Sequence, residues 1–166
     1  MSVLRGMRRL GLAAALLLLV VTAAQAGAPE RIDAAALRRM VAEATASGAV
    51  AVVNYWASWC APCREEIPVF NALRREFPES KLYLLGVSLD FDEDNYRDFL
   101  AAQPLAYPAR LGGEQLMDEL QLQAIPRTEI YAPGGNLHKV MAGKLEAADL
   151  RAEITALLGQ GRGERP

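Results

Sequence analysis

Two cysteines, Cys60 and Cys63, are the only ones in the 166-residue chain, and they stand three apart in Trp59-Cys60-Ala61-Pro62-Cys63. A pair at this spacing can staple the fold, hold a metal or exchange disulfides. Closing so short a loop removes little entropy from the unfolded chain, so a stabilising staple explains the pair poorly. One histidine, His138, and two cysteines are too few for a zinc site within the chain. Thiolates do select Cu(I), which keeps a copper-handling thiol module as an alternative, although no third ligand is evident. Haem attachment requires Cys-x-x-Cys-His, and Arg64 stands at the histidine position. The chemistry favoured by the residues is thiol–disulfide exchange.

That chemistry needs a thiolate, and an ordinary cysteine is mostly protonated near neutrality. A helix N-terminus supplies unpaired N–H groups and the positive end of the dipole, which lower the thiol's proton affinity. Pro62 suits the first turn of such a helix. Cys60 is then the attacking sulfur. Cys63, one turn on and more buried, resolves the mixed disulfide.

The elements that must position this pair read as alternating strands and helices. Asp33 is the expected N-cap of a helix from Ala34 to about Ala46, stopped by Gly48. Val50 to Tyr55 is a β-branched apolar run of the type found in strands covered on both faces. The spacing of Ile67, Phe70, Leu73 and Phe77 predicts a helix from about Ala61 to Phe77, with a kink at Pro68. Further strands are expected at 81–88, 107–111, 127–131 and 137–141, and helices near 92–100, 114–122 and 147–158. The turn Pro133-Gly134-Gly135-Asn136 joins the last two strands as a hairpin. The pattern predicts an α/β layer structure with a mixed sheet.

Residues Val53 to Pro68, including Asn54-Tyr55-Trp56-Ala57-Ser58-Trp59-Cys60-Ala61-Pro62-Cys63, resemble the active-site segment of the thioredoxin superfamily. The segment is most similar to its exported TlpA/ResA branch. Pro68 matches the family's helix-kinking proline, and Ile125-Pro126 its cis-proline loop. Residues 105–111 with their neighbouring helices resemble the central insertion of that branch. The resemblance covers roughly residues 49–158. It implies a thioredoxin fold, a central mixed sheet flanked by helices, with Cys60 and Cys63 as the catalytic pair and no cofactor. Trp59, Pro62, Ile125 and Pro126 would support the site and its substrate, with Trp59 shielding the thiol and Trp56 in the core.

The resemblance also implies an activity: reduction of disulfides in periplasmic protein substrates, such as apocytochrome c or other secreted proteins. A membrane thiol–disulfide donor would return the electrons. An oxidase or isomerase running the same residues in reverse is the alternative within the enzyme class. Asn54 departs from classical thioredoxins, which carry a buried Asp there; Asn cannot titrate, so solvent or another acid must take the proton of the buried cysteine. Glu129 is a candidate acceptor, although an edge or solvent-facing glutamate is the favoured reading. Arg127, after Pro126, would either bias the groove toward acidic substrates or merely be exposed. Asp90-Phe91-Asp92-Glu93-Asp94 looks superficially like a calcium loop, but it lacks the required Gly and Glu, and helix capping is the expected role.

Residues 1–26 have the three-part layout of a secretory signal, with arginines at 5, 8 and 9, an apolar stretch, and Ala24-Gln25-Ala26 before the expected cleavage. An uncleaved anchor in the inner membrane is the alternative. The expected organisation is a signal at 1–26, a linker at 27–32, the domain at 33–159 and a flexible tail at 160–166. Removing the signal leaves 15 basic against 20 acidic side chains. That balance carries no footprint for nucleic acid. The expected state is a periplasmic monomer.

Overall fold

The computed structural model describes residues 30–160. The expected signal at 1–26, residues 27–29 of the linker and residues 161–166 of the tail lie outside the described residues. The order of elements is α1 (Ala34–Ala46), β1 (Val50–Trp56), α2 (Ala61–Glu76), β2 (Leu82–Ser88), α3 (Glu93–Ala102), β3 (Ala109–Leu111), α4 (Gly113–Glu119), β4 (Arg127–Tyr131), β5 (Leu137–Ala142) and α5 (Ala147–Gln160). The sheet runs β3-β2-β1-β4-β5. β1 pairs parallel with β2 and antiparallel with β4, which continues into the β4–β5 hairpin. The fold is thus the expected thioredoxin-like α/β layer structure with a mixed sheet.

Local chemistry explains the boundaries. Asp33 caps α1 by accepting from the Ala36 amide at 2.6 Å. Gly48, at φ +85°, supplies the left-handed residue that turns the chain into β1. A parallel neighbour requires a crossover. Here α2 makes it, its apolar stripe covering the sheet as it passes. β1 is buried along its whole length, as a central strand with helices on both faces must be.

Strand alternation sorts β1 into two faces. Ala51, Val53 and Tyr55 join Leu37 and Val41 of α1 and Leu116 of α4 in one core. Val50 and Val52 join Phe70 and Leu73 of α2 and Leu150 and Ile154 of α5 in the other. A third cluster lies where β1 hands over to α2, and holds Trp56, Ala57, Cys60, Cys63, Tyr96 and Leu111. Two expected elements are shorter in the structure. The extended piece expected from Tyr107 is a strand only over Ala109–Leu111, and the helix expected to reach Leu122 ends at Glu119. Tyr107 instead inserts its ring against Phe70 (centroids 5.9 Å apart).

Candidate redox site

Cys60 and Cys63 form a disulfide, with Cα atoms 5.3 Å apart. Cys60 is the N-cap of α2, and its Sγ accepts from the Cys63 amide at 3.3 Å. The sulfur therefore sits on one of the donors that a helix N-terminus leaves unpaired, where a thiolate gains most from the dipole. Pro62 falls within the first helical turn, where no intrahelical donor is lost. Cys60 is 5% exposed and Cys63 1%. The outer sulfur is the more accessible, the order required for one to attack and the other to resolve.

The surroundings separate the two tryptophans. Trp56 is buried, its ring 5.0 Å from that of Phe99 and 6.2 Å from that of Tyr96. Trp59 is 58% exposed and leans on the equally exposed Phe91 at 6.4 Å. A cleft of about 270 Å³ opens beside Trp59, lined also by Leu89, Met117, Gln123, Ala124 and Ile125. The Ile125–Pro126 peptide is cis, and the Pro126 carbonyl accepts from Gly143 at 2.9 Å.

Glu129 is buried rather than solvent-facing, which corrects the favoured reading of it. It pairs across the sheet with Val53, so its side chain lies on the α1 face, whereas α2 carries Cys63 over the opposite face. Buried there, it accepts from Tyr55 Oη at 3.0 Å, Tyr131 Oη at 2.7 Å and Arg127 Nη2 at 2.7 Å. Arg127 also donates through Nε at 3.0 Å. Its charge is thereby spent on a partner within its own strand. Burial, reinforced by the Glu129 carboxylate, pushes the Tyr55 hydroxyl well above its ordinary range.

The acid that does share a face with Cys63 is Glu66, one turn further along α2. Sequence reasoning passed over it, although its place three residues after Cys63 and one before Ile67 puts it on the apolar stripe. Glu66 is 1% exposed; Oε1 accepts from the Leu145 amide at 2.6 Å, and Oε2 has no partner. Burial pushes its pKa up to about 7, against the lowering effects of the Leu145 amide and the Lys144 ammonium. Lys144 itself is engaged by Glu65 at 2.5 Å. Tyr107, whose buried hydroxyl is also unpartnered, is shifted upward by burial and then by the charge of Glu66. Asn54 lies on the same face of β1 as Val52 and donates to Thr128 Oγ1 at 3.3 Å. An amide fixed there cannot accept a cysteine's proton; the buried carboxyl of Glu66, one turn from Cys63 on α2, can.

The fold and the capped cysteine pair define a thioredoxin-like domain with a Cys-x-x-Cys redox centre. Residues 29–140 match the AhpC/TSA family, and the chain belongs to that family. It is 30% identical over 108 residues to sporulation thiol-disulfide oxidoreductase A of Bacillus subtilis, covering 63% of this chain and 66% of that one. It is 32% identical over 114 residues to thiol:disulfide interchange protein HelX of Rhodobacter capsulatus, covering 67% and 62%. These curated relatives are thus matched over less than two thirds of their own length. Among solved structures, a putative thiol:disulfide interchange protein DsbE from Chlorobium tepidum superposes with a TM-score of 0.63 at 25% identity, covering 68% of this chain and 82% of that one. StoA from Bacillus subtilis gives 0.57 at 28% identity, covering 65% and 83%. With these relatives the chain is a TlpA/ResA-like member of the thioredoxin superfamily.

Proposed function

We propose that the chain is an exported thiol–disulfide oxidoreductase that reduces disulfides of periplasmic proteins. The observation that carries this reading is the placement of Cys60 Sγ as the cap of α2, with Cys63 behind it and Glu66 one turn further on. In the reducing cycle the Cys60 thiolate attacks one sulfur of a substrate disulfide, forming a mixed disulfide. The other substrate sulfur leaves as a thiolate and takes a proton. Cys63 passes its proton to the free oxygen of Glu66 and attacks Cys60 Sγ, expelling the second substrate sulfur. Two electrons reach the substrate, and the Cys60–Cys63 disulfide remains. A membrane dithiol donor then reduces it.

Trp59 and Ile125 line the apolar cleft, which would take a substrate side chain while an extended substrate segment lies along the cis Ile125–Pro126 peptide. The names of the relatives support exchange chemistry, and the signal-like segment at 1–26 supports export of the domain at 33–159. The test is the reduction potential of the pair in equilibrium with glutathione. A value near the roughly −270 mV of thioredoxin supports a reductant, and one near −120 mV assigns an oxidase instead.

A further inference from the structure

The turn that precedes Cys60 is gripped by a carboxylate that exchange chemistry does not itself employ. Asp90 follows β2 by two residues and is 1% exposed. Its Oδ1 accepts from Ser58 Oγ at 2.6 Å, both oxygens accept from the Ser58 amide at 3.1 Å, and Oδ2 accepts from Ser88 Oγ at 2.7 Å. Among the described residues it makes no ion pair. The cations of the adjoining elements are engaged elsewhere: Arg31 with Glu93 at 3.3 Å and Arg110 with Glu30 at 2.8 Å. Tyr96 of α3 faces the same charge, and Asp92, Glu93 and Asp94 add like charges at the start of that helix.

Ser58 is the second residue of the turn that delivers the nucleophile. The Cys60 amide closes this turn on the Ala57 carbonyl at 3.1 Å. Two residues of chain reach about 7 Å at most, and the carboxylate is 3.1 Å from the Ser58 amide, so the charge gripping Ser58 stands on the order of 10 Å from Cys60. We propose that Asp90 is a positioning residue of the redox centre: it clamps the turn that presents Cys60, and its negative charge opposes the Cys60 thiolate, holding the pair reducing. The helix N-terminus and Asp90 thus act on the same sulfur with opposite sign. The inference rests on the reading of Cys60 as the reacting thiol.

The test compares Asp90→Asn, Ser58→Ala and the parent protein. Asparagine keeps an acceptor for Ser58 and can donate to Ser88, so the clamp survives without its charge. A unit charge at about 10 Å in a partly screened site changes a thiol's acid dissociation about tenfold. Asp90→Asn should therefore raise the acid dissociation of Cys60 about tenfold, read as the pH dependence of its alkylation. It should also shift the glutathione equilibrium toward the dithiol by a similar factor, about 30 mV less negative. Ser58→Ala keeps the carboxylate but removes a donor that neutralises it, and should move the alkylation profile two- to threefold in the opposite direction. Unchanged profiles in both variants, or shifts of the same sign, overturn the proposal. Alkylation reports on Cys60 whether or not any protein disulfide is reduced, so failure of the reductase reading leaves this test decisive.

Discussion

Replacing Glu66 by Gln is the perturbation whose consequence follows most fully from the structure. Glu66 is buried with one oxygen on the Leu145 amide and the other unpartnered, and burial lifts its pKa from the ordinary 4.5 to about 7. The folded protein therefore keeps this proton to higher pH than the unfolded chain does. Both states are neutral here below about pH 4.5, where the group costs nothing. As pH rises toward 7 the unfolded carboxyl ionises first and stability is lost, reaching a plateau once the folded carboxyl ionises too. The displacement corresponds to about 3 kcal/mol. Glutamine retains an acceptor for Leu145 and has no charge to bury. Urea denaturation of the disulfide form, where no thiol titrates, measures the difference between parent and variant. The two should nearly match at pH 4.5, and the variant should be more stable by about 3 kcal/mol at pH 8. Stability curves that stay parallel from pH 4.5 to 8 would refute the reading of Glu66 as a carboxyl that titrates near neutrality.

Three other outcomes are expected. Glu129→Ala strips Arg127 and two tyrosine hydroxyls of their acceptor, and should cost about 3 kcal/mol in denaturation while leaving Cys60 alkylation unchanged, because the cluster lies across the sheet. Leu150→Ala opens the core under α5 and should cost about 3 kcal/mol without moving the reduction potential. Asp33→Ala removes the α1 cap and should lower stability by about 1 kcal/mol, seen as a shift in urea midpoint at constant slope.

Much of this architecture is legible in the chain because local and tertiary requirements agree. Val50 to Tyr55 is apolar at every position except Asn54, and the strand is buried on both faces. Asp33, Gly48 and the Gly134-Gly135 turn mark boundaries that the hydrogen bonds respect. Polar residues in buried places are harder to read. Glu129 looked exposed because a lone glutamate in a strand usually faces water; its acceptors' partners, Tyr55 and Tyr131, converge only once β1 and β4 pair. Arg127 is two residues away on the same strand face, so alternation alone would have suggested their ion pair. Glu66 was hidden by its type, since a charge near a helix start reads as solvated, although its spacing from Cys63 and Phe70 places it inward. Asp90 stands in an acidic run of which Asp92 caps a helix, accepting from the Asp94 amide at 2.8 Å. Only the fold brings Ser58 to it.

Attack by Cys60 and resolution by Cys63 are tested most directly by trapping. Cys63→Ser, reduced and then offered a disulfide-bonded protein, should accumulate a reductant-sensitive adduct that peptide mapping places on Cys60. Cys60→Ser should yield little or none, since Cys63 is the more deeply buried sulfur. An adduct on Cys63 forming as fast in Cys60→Ser, or no adduct in either variant, would contradict the assignment.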